Sequence, residues 1–120
     1  MAKGDDLEER LINFAVRIIK VCNHLPDTPA GRHVSGQLLR SGTSPAPNYG
    51  EARGAESRRD FVHKPGVVLK ELNESKVWLV IIARSDMLPE SQLSDLISEC
   101  QELSKIINQS IQTASSATKH

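Results

Sequence analysis

The chain has 120 residues, 38% of them hydrophobic and 25% charged, with 15 basic against 15 acidic side chains and a formal net charge of zero. That length suits one domain with a single modest core, and the charge balance excludes a protein drawn as a whole to nucleic acid or anionic membrane. The longest apolar run, Val77 to Ala83 at seven residues, falls far short of the roughly 20 that span a bilayer; with an N-terminus (MAKGDDLEERL) too acidic and polar for a signal peptide, a cytoplasmic chain with no membrane partner is expected.

Four helical segments are predicted. The first follows Asp5 and Asp6, which suit an N-cap and first turn. Leu7, Leu11, Phe14, Ile18, Val21 and Leu25 recur in steps of four and three along one face, and Pro26 ends the segment. The second opens at Thr28-Pro29, a cap followed by proline at the first helical position. Val34 and Leu38 begin its stripe, which then dissolves into LLRSGTSPAPNYGEA, residues 38–52. Gly42, Pro45 and Pro47 are poor interior helix residues, an interior proline costing about 3 kcal/mol. The expected solution is helix, kink, helix, with Ser44 capping the second piece, Pro45 in its first turn and an end near Gly54.

The third segment begins at Ser57, whose spacing to Asp60 suits a capping box, and ends near Arg84-Ser85. Phe61, Val68, Leu72, Leu79 and Ile82 form its main stripe, with Ser75 at one stripe position. Val67, Glu71, Glu74, Trp78 and Ile81 form a second stripe on a neighbouring face. Pro65-Gly66 predicts a kink. The fourth segment starts near Pro89 and carries Leu93, Leu96, Ile97, Cys100, Leu103, Ile107 and Ile111. From Thr113 the stripe is lost. The expected organisation is an all-α, antiparallel up-down-up-down four-helix bundle over residues 1–112, with helices two and three kinked and a disordered tail over 113–120.

Arg40, Ser44, Asn48 and Glu51 share one face of the second helix, and Asp60, Lys64, Glu71 and Glu74 a partly polar face of the third. Packed together the two faces can satisfy one another, and a pair such as Arg40 with Glu74 would fix their register. Glu71 and Glu74 also have the spacing of a carboxylate pair, but no nucleophile with a His base and no glycine-rich phosphate loop accompanies them. No catalytic residue is assigned and no enzyme is expected. Asp60-x-x-His63 is a single metal-like spacing with no second copy. His24 and His33 read as exposed polar residues near helix ends, and Cys22 and Cys100 as reduced thiols on apolar stripes, so neither metal nor cofactor is expected. Residues 32–84 hold nine basic and five acidic groups, against two and five in 85–120. Arg53, Arg58, Arg59 and Lys64 form a basic cluster at the turn between helices two and three. With Phe14 and Phe61 on core stripes, few aromatics remain for base stacking. Contacts to RNA or DNA would therefore be to phosphate and shape.

The runs LEERLINFAVRI, QLLRSGTSPAPNYGEA, ESRRDFVHK and LKELNESKVWL together resemble bacterial four-helix bundle proteins first noticed in intervening sequences of large-subunit ribosomal RNA genes. The resemblance runs from Leu7 to Ile111. It is most specific at Arg40-Ser41, Ser44, Asn48, Glu51-Ala52, Ser57, Asp60-Phe61, Lys64, Lys70-Glu71, Glu74 and Trp78. It implies an antiparallel four-helix bundle assembled as a ring-shaped homopentamer. The accessory variability determinant proteins of diversity-generating retroelements are similar, and for these a basic pentameric barrel contacting a reverse transcriptase and nucleic acid is implied. This chain departs from the pattern in carrying Pro45, Pro47, Pro65 and Gly66 where helix-compatible residues are usual, and in its zero net charge. The function implied is a non-enzymatic oligomeric scaffold or adaptor; the alternative is a nucleic-acid-binding accessory protein. In such an assembly the small residues of 41–47 would admit a close helix. Arg40, Asn48 and Glu51 would make polar contacts within the subunit or across a seam, and Val67 and Trp78 would supply the apolar part of an intersubunit surface.

Overall fold

A computed structural model describes residues 3–54 and 58–118, with side chains at 6–54 and 63–114. The described residues form five helices and no strand: α1 (Lys3–Asn23), α2 (Pro29–Thr43), α3 (Pro45–Arg53), α4 (Arg58–Arg84) and α5 (Ser94–Thr118). A short 3-10 turn at Glu90–Gln92 leads into α5. α2 and α3 are joined end to end with a bend of 18°, so the five pieces make four rods. The α2–α3 rod packs against α1 and α4, and α5 packs against α4 and α1, which leaves α1 and α4 on opposite corners. The bundle measures 51 × 26 × 22 Å.

The core follows the stripes. Leu7, Leu11, Phe14 and Ile18 from α1 meet Val34 and Leu38 from α2, Val68, Leu72, Leu79 and Ile82 from α4, and Leu93, Leu96, Cys100, Leu103 and Ile107 from the α5 side. The predicted second-helix start is as drawn: Thr28 is extended and its hydroxyl accepts from the Gly31 amide at 3.0 Å. Gly31 is required there, because a Cβ would lie 2.0 Å from the Pro26 carbonyl oxygen. At the far end of α4, Asp86 takes the left-handed conformation (φ 60°), and the Met87 amide reaches back 3.1 Å to the Ile82 carbonyl. This is a C-terminal reversal usually given to glycine.

One detail differs from expectation. Ser44 does not cap α3; it stays helical (φ −73°, ψ −36°) and its side chain accepts no cap bond. The chain therefore bends instead of breaking. Pro45 and Pro47 withhold the amides that the carbonyls of Ser41 and Thr43 would use, and the Thr43 hydroxyl bonds the Leu39 carbonyl at 2.6 Å, a pattern that bends helices. α4 runs as one helix through Pro65. α5 remains helical to Thr118, beyond the point where its apolar stripe stops. The expected capping box at Ser57 and Asp60 lies outside the described residues and side chains.

The loss of the apolar stripe over residues 38–52 follows in part from sterics. A Cβ on Gly42 would lie 2.6 Å from Ile18 Cγ2 and 2.7 Å from its Cγ1. Nothing larger than glycine fits where α1 crosses α2. Gly36, one and a half turns earlier on the same helix, has no atom within 4 Å of its would-be Cβ. The two glycines should therefore respond oppositely to alanine. Gly36→Ala should stabilise by about 0.5–1 kcal/mol through helix propensity. Gly42→Ala should destabilise by about 1–3 kcal/mol through overpacking. Urea denaturation of the two variants checks both signs.

Candidate functional site

The polar groups converge on the seam between the α2–α3 rod and α4. At its buried centre the Ser41 and Ser75 hydroxyls lie 2.9 Å apart, and both side chains are sealed from solvent. Each hydroxyl has one proton. The Glu71 carbonyl, 2.8 Å from Ser75, and the Leu38 carbonyl, 3.4 Å from Ser41, supply acceptors within each helix. The pair is satisfied without water. Ser75 thus occupies a core stripe position because Ser41 faces it.

Outward from this pair sits Arg40. Its guanidinium donates to Glu71 at 2.9 Å and also to Glu74. Glu74 in turn accepts from the Trp78 indole N–H at 3.1 Å, and the Trp78 ring meets His33 edge-on at 6.0 Å. The Glu71 side chain is 12% exposed and Arg40 51%, so the carboxylate lies inside the seam and the cation covers it. About two turns further, Asn48 folds back on Ser44, donating to its carbonyl at 3.0 Å and its hydroxyl at 2.8 Å. Lys64 of α4 reaches Glu51 at 2.8 Å and, at a long 3.5 Å, Asn48 Oδ1.

The arrangement brings together Arg40, Ser44, Asn48, Glu51, Lys64, Glu71, Glu74 and Trp78 as one seam. Trp78 is half-covered by its own subunit, so the second stripe of α4 divides: Glu71, Glu74 and Trp78 turn to α2, Val67 is half-buried, and Ile81 stays exposed at 38%, one turn from Val77, which lies outside that stripe, at 57%. The proposed basic cluster is less free than its spacing implied. Arg53 pairs with Glu8 at 3.2 Å and Lys64 with Glu51. The side chains of Arg58, Arg59 and Asp60 lie outside the described ones. His24 is exposed at the end of α1, its Nδ1 2.7 Å from the Lys20 carbonyl. Among the described residues no three His, Cys, Asp or Glu side chains gather in a group suited to a metal ion, and no helix is long and apolar enough to cross a membrane.

Two features escaped the sequence reading. Arg10 clamps Glu99 of α5 with two bonds, 2.7 and 3.1 Å, tying the corner where α1 meets α5. The partners are 89 residues apart, and no local pattern signals such a pair. The second feature was legible: Ile12, Val16 and Ile19 stand at i, i+4 and i+7 on α1, and all are exposed at 40–43%.

Residues 6–109 match the profile of the 23S rRNA-intervening sequence protein family. A crystal structure of a protein of unknown function from the S23 ribosomal protein family, from Bacteroides thetaiotaomicron VPI-5482, superposes with a TM-score of 0.85 at 32% identity, covering 92% of this chain and 99% of that one. No curated protein matches the chain.

Two outcomes follow from the seam and the core. Arg40→Ala strips a nearly buried carboxylate of its cation and should destabilise by about 1–2 kcal/mol. Glu74→Ala leaves Arg40 its bond to Glu71 and should cost less than about 1 kcal/mol; urea titrations at low and high salt rank the two. Burial pushes the Cys100 thiol from its ordinary 9.0 up to about 12. The folded chain then holds a proton that the unfolded chain releases, so stability is whole below about pH 9 and is lost as pH rises towards 12. Cys100→Ala should flatten that decline when urea midpoints are compared across the alkaline range.

Proposed function

This chain belongs to the 23S rRNA-intervening sequence protein family, and we propose that it works as a non-enzymatic scaffold or adaptor whose active form is an assembly of several copies. The observation that carries the reading is apolar surface left uncovered by a core that is already complete. Ile12, Val16 and Ile19 on α1, Leu39 on α2, and Val77 and Ile81 on α4 are all exposed. Single exposed apolar residues are ordinary, but rows at helical spacing mark contact surfaces. The rows lie on opposite corners of the bundle, so each copy can touch more than one neighbour. A ring-shaped homopentamer, the form implied by the family resemblance, requires that. The seam chemistry supports a structural role as well: its carboxylates are engaged by Arg40, Lys64 and the Trp78 indole.

A second reading is a nucleic-acid-binding accessory protein, contacting RNA or DNA and a protein partner such as a reverse transcriptase. It is favoured by Lys70, Lys76 and Arg84 along α4, which have no carboxylate partner among the described residues. Repeated around an assembly they would build a field that a single neutral chain lacks.

Sedimentation velocity of the purified chain at micromolar concentration tests the first reading. The expected result is a species several times the 13.2 kDa chain, with five copies as the ring form; a single-chain species would remove the reading. Binding to labelled RNA and DNA across a salt series tests the second. Affinity falling steeply with salt supports phosphate contacts, and salt-independent or absent binding counts against them.

A further inference from the structure

Four of the six large apolar side chains exposed among the described residues lie on one side of the molecule. These are Ile12, Val16 and Ile19 of α1 and Leu39 of α2. The crossing of Ile18 at Gly42 and the 3.5 Å bond from the Cys22 thiol to the Ser35 carbonyl set the two helices level, placing Leu39 beside Ile19. Glu9 and Lys20 are both exposed. They are eleven residues apart, close to three whole turns, so they stand on the same flank of the stripe. Neither has an ion-pair partner among the described residues.

This charge arrangement selects an occupant. A parallel copy of α1 would put Glu9 level with Glu9 and Lys20 level with Lys20, leaving neither an opposite charge to meet. An antiparallel copy, related by a two-fold axis between Ala15 and Val16, sets Ile12 of each chain against Ile19 of the other. It also brings Glu9 within about 3 Å, along the axis, of the other chain's Lys20, twice over. We propose that the α1–α2 face is closed by a second copy of this chain in that antiparallel, two-fold arrangement. The inference rests on the scaffold reading in requiring self-association, but it names a different contact. A ring seam joins unlike surfaces, whereas this one joins like to like, so a ring seam would pair the α4 face with a surface other than this one.

Near a two-fold axis a residue meets its own copy, which a chemical cross-link can report. The full chain carrying Cys22→Ser and Val16→Cys is treated with a short bis-maleimide; the native Cys100 is buried and stays protonated. Lys105→Cys in place of Val16→Cys, on the exposed side of α5, is the collision control, and circular dichroism confirms helix content. The expected result is a covalent pair of chains for Val16→Cys and none for the control. Adding Glu9→Lys or Lys20→Glu alone should lower the yield about fivefold, and combining the two should restore it, since the swapped pair is again complementary. Absence of the covalent pair in a chain that still sediments as an assembly overturns the two-fold contact and leaves the scaffold reading standing. A chain that sediments only as a monomer overturns both. Equal yields from the single and double charge variants overturn the antiparallel register.

Discussion

Two hydroxyls, Ser41 and Ser75, meeting 2.9 Å apart inside the bundle, set the position of everything around them. An apolar stripe tolerates sliding, since one leucine resembles the next. A buried hydrogen-bonded pair does not, because a shift leaves two desolvated hydroxyls without each other. With α2 and α4 held at that level, Arg40 falls opposite Glu71 and Glu74, and Asn48 falls opposite Lys64. The ion pairs confirm a register that the hydroxyls determine, and being partly exposed they add little stability of their own.

The small residues that flank the pair serve a second crossing. Gly42 faces the other way, to α1, and receives Ile18 against its backbone. One short run thus accommodates two neighbours at once, α4 through Ser41 and α1 through Gly42. That is why residues 38–52 abandon the apolar stripe. The run was read in sequence as a contact with a neighbouring helix, within the subunit or across a seam. Ser41 and Gly42 make the contacts described above within the subunit.

Most of the fold was legible. The stripes of α1, α4 and α5 named nearly all the core residues, because burial selects leucine and isoleucine at helical spacing and little else does so. The Thr28 cap was legible for the same local reason. Ser44 was misread as a cap because proline biases its predecessor away from the helical region, yet the packing of Pro45 into the core and the clasp of Asn48 hold it helical. The seam was half legible. Arg40 with Glu74 was anticipated; the deeper partner, Glu71, was placed on the right face without its bond. Arg10 with Glu99 was invisible, since only the closed bundle brings them together. Arg53 and Lys64 looked like a free basic cluster until tertiary packing supplied Glu8 and Glu51.

The proline bend gives the α2–α3 rod a property that its straight companions lack. The carbonyls of Ser41 and Thr43 at the joint lack the amides that Pro45 and Pro47 cannot offer, so the angle there is held by packing more than by the helix's own hydrogen bonds. The α2 end is locked by the serine pair and the glycine crossing. The α3 end is held as well, by Pro45 and Ala52 buried in the core, with ionic and amide contacts around them. Such a rod behaves as a stiff beam whose angle is set at the joint by packing. A change of packing at either end would therefore reset the angle at which the two halves of the rod present their outer faces.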